Sequence, residues 1–182
     1  MKAIARPEAM RMVLEYNPET GSLRWLRRTQ DMFDDDSAMN AITRCAVWNK
    51  RFAGREAFTS NKGGGRMVSP VFGRIYLAHR VAWAMHYGAW PKGQIDHING
   101  NPSDNRISNL RDVSMQVNSQ NMPLRVDNST GVPGVTRHQG KWQARIARRY
   151  IGMFSEFSDA VAARRKAEAE LNYHPNHGRI PE

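Results

Sequence analysis

Ile95-Asp96-His97-Ile98-Asn99-Gly100-Asn101-Pro102-Ser103-Asp104-Asn105-Arg106-Ile107-Ser108-Asn109-Leu110-Arg111, continued by Gln116-Val117-Asn118, is the stretch from which the rest of the chain is best read. It is poor in apolar residues and rich in Asn, Asp and Ser, yet elements that look well ordered flank it. Neighbouring Asp and His on a strand point to opposite faces, so Asp96 and His97 serve one site only if the strand ends or bends there. Asn99-Gly100 supplies that bend. An Asp96 carboxylate and an Asn118 amide are hard oxygen donors of the kind that suit Mg²⁺ or Mn²⁺. A neutral His97 imidazole can accept a proton from an attacking water. Taken singly, each of these residues has an ordinary structural use in a loop, a turn or a helix surface.

Upstream, Pro7, Met10, Val13 and Leu14 predict a short helix over 6–16, stopped by Asn17-Pro18-Glu19-Thr20-Gly21. Residues 22–27 alternate as a strand. The acidic run from Thr29 to Asn40, with Asp31, Asp34, Asp35 and Asp36, has no period and is expected to be a solvated loop. Asn61-Lys62-Gly63-Gly64-Gly65 is a turn, followed by a hairpin of 66–72 and 74–80 about Gly73 and a short apolar helix over 81–87. His79 and Arg80 fall at that strand-to-helix junction, where they either meet DNA phosphate or pack. Downstream, 122–131 reads as a linker. Val135, Trp142, Ala144, Ile146, Ile151 and Phe154 then mark three strands, and Ser155 is placed to cap a helix reaching about Asn172, with Ala160, Ala163, Ala167 and Leu171 on one face.

The chain has 182 residues, 40% of them apolar, with 27 Lys+Arg against 17 Asp+Glu for a formal charge of +10. That is enough for one or two domains with real cores. No window approaches the roughly 18 consecutive apolar residues of a membrane helix. The N-terminus lacks the apolar region of a secretory signal, and the single cysteine, Cys45, excludes both an internal disulfide and a zinc site of several cysteines. A cytoplasmic setting is the expectation. Residues 1–90 carry 14 basic and 8 acidic side chains, 91–127 carry 4 of each, and 128–182 carry 9 and 5. Two basic flanks about a neutral centre suit a polyanion gripped on both sides, although anionic membranes and acidic proteins attract the same surface.

The spacing within IDHINGNPSDNRISNL, with Asn109 thirteen and Asn118 twenty-two residues after Asp96, resembles the HNH (ββα-metal) nucleases, particularly the HNN variant of phage and homing endonucleases. YNPETGSLRW and RIYLAHRVAW look like the usual lead-in. The resemblance implies an α+β fold whose core is a two-stranded ribbon with a helix over one divalent ion, Mg²⁺ or Mn²⁺. It assigns Asp96 and Asn118 to the metal, His97 to general base and Asn109 to bracing the loop that carries the base. Asn118 stands where the commoner form has His, which argues against Zn²⁺.

The run GVTRHQGKWQARI with YIGMF resembles the APETALA/ethylene-response-factor DNA-binding domain, a three-stranded antiparallel sheet laid in the major groove with one helix behind. Strand parity turns Trp142, Ala144 and Ile146 toward the helix and Lys141, Gln143 and Arg145 outward. Residues 137–149 include five basic side chains and no acid. Arg and Gln can read guanine and adenine edges, and Lys can hold phosphate. The expected DNA contacts are Arg80, Thr136, Arg137, His138, Lys141, Gln143, Arg145, Arg148 and Tyr150. Pro133, Thr136 and Ala147 replace Arg of that family, so its target sequence does not carry over.

The sequence thus predicts an N-terminal extension (1–58), a nuclease domain (59–122), a linker (123–131) and a DNA-binding domain (132–182). The expected function is a metal-dependent endonuclease that nicks double-stranded DNA, acting as a monomer or homodimer. The competing reading is a non-catalytic DNA-binding regulator that uses the nuclease fold as scaffold.

Overall fold

The computed structural model describes residues 4–34, 39–119, 121–175 and 177–180, so Asp35 and Asp36 of the acidic run lie outside the described residues. The fold is mixed α+β, with several small sheets and helices in two compact units, Met1–Asp112 and Val113–Glu182.

In the first unit the expected N-terminal helix stops after little more than a turn. Helix α1 (Pro7–Arg11) buries Pro7 and Met10, and the chain then extends into β1 (Leu14–Tyr16), antiparallel to β2 (Leu23–Trp25) with Tyr16 opposite Leu23. Val13 and Leu14 fit a helical spacing, but Leu14 and Tyr16 also alternate at period two, and pairing with β2 satisfies their backbone. The connecting turn is tied by the Asn17 side chain, which accepts from the Glu19 and Thr20 amides. Past a 3-10 turn (Gln30–Met32), α2 (Ala41–Phe52) begins at Asn40, whose amide oxygen accepts from the Thr43 N–H. Trp48 of α2 meets Trp25 edge-on at 5.6 Å, and the Arg28 guanidinium lies 3.9 Å from the Trp48 ring centre.

Strands β3 (Ser60–Asn61), β4 (Met67–Val71) and β5 (Arg74–Leu77) form an antiparallel sheet in that order. Phe72 and Gly73 make the β4–β5 turn with positive φ at both positions, the form that matches strand twist. Helix α3 (Ala78–Tyr87) starts three residues before the expected Val81 and ends at Gly88, φ +72°. Ala78, Val81, Ala82, Ala84 and Met85 explain the early start, since each is buried on a helical face. The core joins Met10, Leu14, Leu23 and Trp25 of the N-terminal segment to Val71, Tyr76 and Val81. The 1–58 segment therefore shares a core with the elements that follow it.

Strands β6 (Gln94–His97) and β7 (Leu110–Val113) pair as a two-stranded sheet, preceded at β7 by a 3-10 turn (Ile107–Asn109). Ala82 of α3 packs on Ile95 and Leu110, which fixes this ribbon to the helix.

In the second unit, α4 (Met115–Ser119) leads through 121–134 to an antiparallel sheet of β8 (Val135–His138), β9 (Lys141–Ile146) and β10 (Arg149–Phe154), with β9 central. Helix α5 (Phe157–Glu170) closes over the sheet, its Ala160 packing on Val135 and Ala144. The helix starts one residue later than Ser155 would set, from Glu156 and without a side-chain cap. Gly134 is at φ +69°, and a Cβ there would strike the Arg145 carbonyl oxygen, so both the angle and the close approach require glycine. The segment expected as a linker runs beside the C-terminal tail: the Leu124 amide donates to the Arg179 carbonyl at 2.8 Å, and the Gly178 amide to the Met122 carbonyl at 2.9 Å.

Candidate nuclease site

Strand β6 ends at His97, and both Asp96 and His97 are buried, 7% exposed each. The Gly100 amide donates to the His97 carbonyl at 2.8 Å, with Gly100 at φ +77°, so the chain turns immediately after the His. This is the bend that adjacent Asp and His require to serve one place.

The Asp96 carboxylate accepts from Arg111 of β7, with Oδ2 at 2.8 Å from Nε and 2.7 Å from Nη2. His97 Nε2 lies 3.4 Å from Asn105 Oδ1. The Asn105 Nδ2 donates to the Ser103 carbonyl at 3.4 Å, which turns Oδ1 toward the ring, and the tautomer that donates to it is the one protonated on Nε2. Burial lowers the His97 pKa from its ordinary 6.5, against the opposing pull of Asn105, Asp96 and Asp104. A second imidazole, His79 of α3, meets the His97 ring nearly perpendicular at a centroid distance of 5.2 Å. Burial, with His97, Arg80 and Arg66 nearby, pushes its pKa from 6.5 to about 3.

Asn109 spans the loop between the strands: its Oδ1 accepts from the Asn99 amide at 2.9 Å and its Nδ2 donates to the Asp104 carbonyl at 2.8 Å. Asp104 is clamped by Arg106, at 2.8 Å to Nε and 2.6 Å to Nη2, and these bonds hold its carboxyl down to about 2. The N-terminal hairpin forms part of the floor. Tyr16 Oη donates to the Asn105 carbonyl at 2.8 Å, the Ile107 amide donates to Pro18, and a Cβ on Gly21 would meet the Arg106 amide nitrogen at 2.5 Å.

Asp96, His97 and Asn109 thus stand together in the first unit. Arg80, also there, donates from Nη1 to the Gly93 carbonyl at 3.0 Å and from Nη2 to that of Pro91 at 3.2 Å, holding the approach to β6. Asn118 belongs to the second unit, half-buried on α4, where its amide donates to the Ser114 carbonyl. Sequence reasoning missed Asn105, Arg111 and Tyr16. Asn105 is one Asn among several, Arg111 gains its partner only from the register of two strands, and Tyr16 lies 89 residues from its partner.

On the sheet of the second unit, cross-strand register puts Thr136 opposite Gln143, His138 opposite Lys141 and Arg145 opposite Tyr150, all on the face away from α5. Arg148 is exposed at the turn into β10. Arg137 is opposite Trp142, on the helix side, with its guanidinium 5.7 Å from the indole centre.

Residues 76–120 match the HNH endonuclease family model. The segment holds α3, the β6–β7 ribbon, Asp96, His97, Asn109 and Asn118. Protein 3.8 of Escherichia phage T7 is 34% identical over 71 residues, which are 37% of this chain and 59% of that protein. No solved structure matches. A phage relative thus accompanies the HNH match. No described helix is long and apolar enough to cross a membrane.

Among the described residues no group of three or more His, Cys, Asp or Glu could hold a metal ion. The donor chemistry of Asp96 nonetheless fits a hard cation that takes its remaining ligands from amide oxygen, water and phosphate. Such an ion has to compete with Arg111 for the carboxylate.

Proposed function

We propose that the chain is a divalent-metal-dependent DNA endonuclease in which His97 is the general base. One observation carries this reading: a buried His97 imidazole lies beside Asp96 at the turn of a ribbon, its Nε2 held by Asn105, inside the segment that matches HNH endonucleases. Burial keeps the ring uncharged at neutral pH, so the imidazole can take a proton from water attacking a phosphodiester. Asp96 would hold Mg²⁺ or Mn²⁺, and the family motif gives Asn118 the same duty. Such an ion stabilises charge on the phosphate and the departing 3′ oxygen. One such site breaks one strand, so nicking is the expected outcome. Asn109 keeps the loop after His97 closed. Thr136, His138, Lys141, Gln143, Arg145, Arg148 and Tyr150 offer the second unit's outer face to duplex DNA, where cations hold phosphate and Gln and Arg read base edges. A phage or homing setting and a cytoplasmic location accompany the reading.

The scaffold reading draws on the Asp96–Arg111 pair, which already balances the charge of the proposed metal ligand. Supercoiled plasmid separates the two. Wild type with Mg²⁺ or Mn²⁺ should give open circles, whereas EDTA or His97→Ala should abolish them while DNA binding persists. Binding without cutting by the wild type on every DNA tried would put the regulator first.

A further inference from the structure

The proposed reaction leaves His79 without a role. It is 7% exposed, sits in the first turn of α3 and contacts the ring of the proposed base. Its Nδ1 is sealed from solvent with no hydrogen-bond partner among the described residues. A buried nitrogen without a partner costs stability, and a phenylalanine would make the same edge-to-face contact without that cost. An imidazole kept under those terms points to a use for its other nitrogen.

Nε2 is not sealed as Nδ1 is. Leaving a bare lone pair at the sealed position is cheaper than leaving an N–H there, which puts the proton on Nε2. Its surroundings are cationic: Arg66 and Arg80 both act on the ring electrostatically, and the positive end of α3 adds to them. Arg66 also acts on His97, so the same field covers both imidazoles. Anionic oxygen is the ligand that such a place receives.

We infer that His79 is a second functional imidazole of the site, whose Nε2–H donates to a phosphate oxygen of the DNA strand held against His97. The inference rests on the nuclease reading of the same site. No bond is made or broken at His79; it binds the phosphodiester and orients it toward the water that His97 deprotonates. Because the ring stays uncharged, its contribution is directional and does not vary through the neutral pH range.

The test uses the full chain in two arms. In the first, plasmid nicking is compared for wild type, His79→Phe and His79→Gln. The Phe variant should fold with an unchanged or higher Tm, bind a short duplex with Kd within about threefold of wild type, and nick about 100-fold more slowly, the loss typical of one oxyanion donor. The Gln variant, which restores an N–H donor, should regain part of the rate. In the second arm, imidazole ¹⁵N spectra with the duplex in EDTA should show a protonated Nε2 on His79 that shifts as DNA is added. Wild-type nicking by the Phe variant, or a His79 signal that DNA leaves unmoved, overturns the inference. If the wild type itself fails to nick, the nuclease reading falls, and the spectra still decide whether His79 meets phosphate.

Discussion

At the residue scale, the site is governed by how each polar side chain is held. His97 is fixed by Asn105 on one nitrogen and by the His79 ring on its flank, and burial lowers its pKa from 6.5. A general base works in its unprotonated form, so a lowered pKa carries that form further into acid. The nicking rate at saturating metal should therefore stay flat from neutral pH past 6.5 and fall only below it. A rate that halves at or above 6.5 in a pH profile would assign the base elsewhere. The residues that declared themselves in the sequence, Asp96, His97 and Asn109, did so because their duties depend on spacing within one local loop. Asn105 and Arg111 were not legible, since Asn105 gains its role from the closure of that loop and Arg111 from the register of β6 against β7.

At the element scale, the β1–β2 turn sits beneath the loop that carries Asn105. Gly21 at φ +76° lets the two backbones approach, and any Cβ there would strike Asn105 and Arg106. Gly21→Ala should thus cost about 1–3 kcal/mol through strain and displacement. Thermal unfolding would read the loss, and nicking should fall at a temperature where the variant remains folded. The outer face of β8–β10 makes a separate demand. If Lys141 and Arg145 both neutralise phosphate, replacing them by Ala should lower the slope of log affinity against log salt by about 2, with little change in Tm. Period-two patterning made this sheet legible, Trp142, Ala144 and Ile146 facing α5 as expected, while the place of Arg137 opposite Trp142 follows from strand register, which charge does not announce. Helix α2 escaped notice because exposed Ile42 and Val47 blur the stripe of Cys45, Trp48 and Phe52 on its inner side.

At the scale of the whole molecule, His79 ties stability to pH. Its folded pKa of about 3 lies below the 6.5 of the free side chain, so in acid the unfolded chain binds a proton that the folded chain refuses. Stability is fully present above 6.5 and is lost as pH falls toward about 3, by up to about 1.4 kcal/mol per pH unit from this residue. Denaturant titrations between pH 7 and 4 should show that decline in wild type and a shallower one in His79→Phe. Equal slopes would show that His79 is not the group responsible. The shared core of the first unit has a different consequence. The stretch matching HNH endonucleases takes the support of its loop from Tyr16, Pro18 and Gly21, and one wall of its apolar core from Met10, Leu14 and Trp25. Chemistry and frame are encoded far apart, so the matched stretch is not portable. A chimera that transplants residues 76–120 alone into a foreign host protein would inherit the reactive groups without the walls that hold them still.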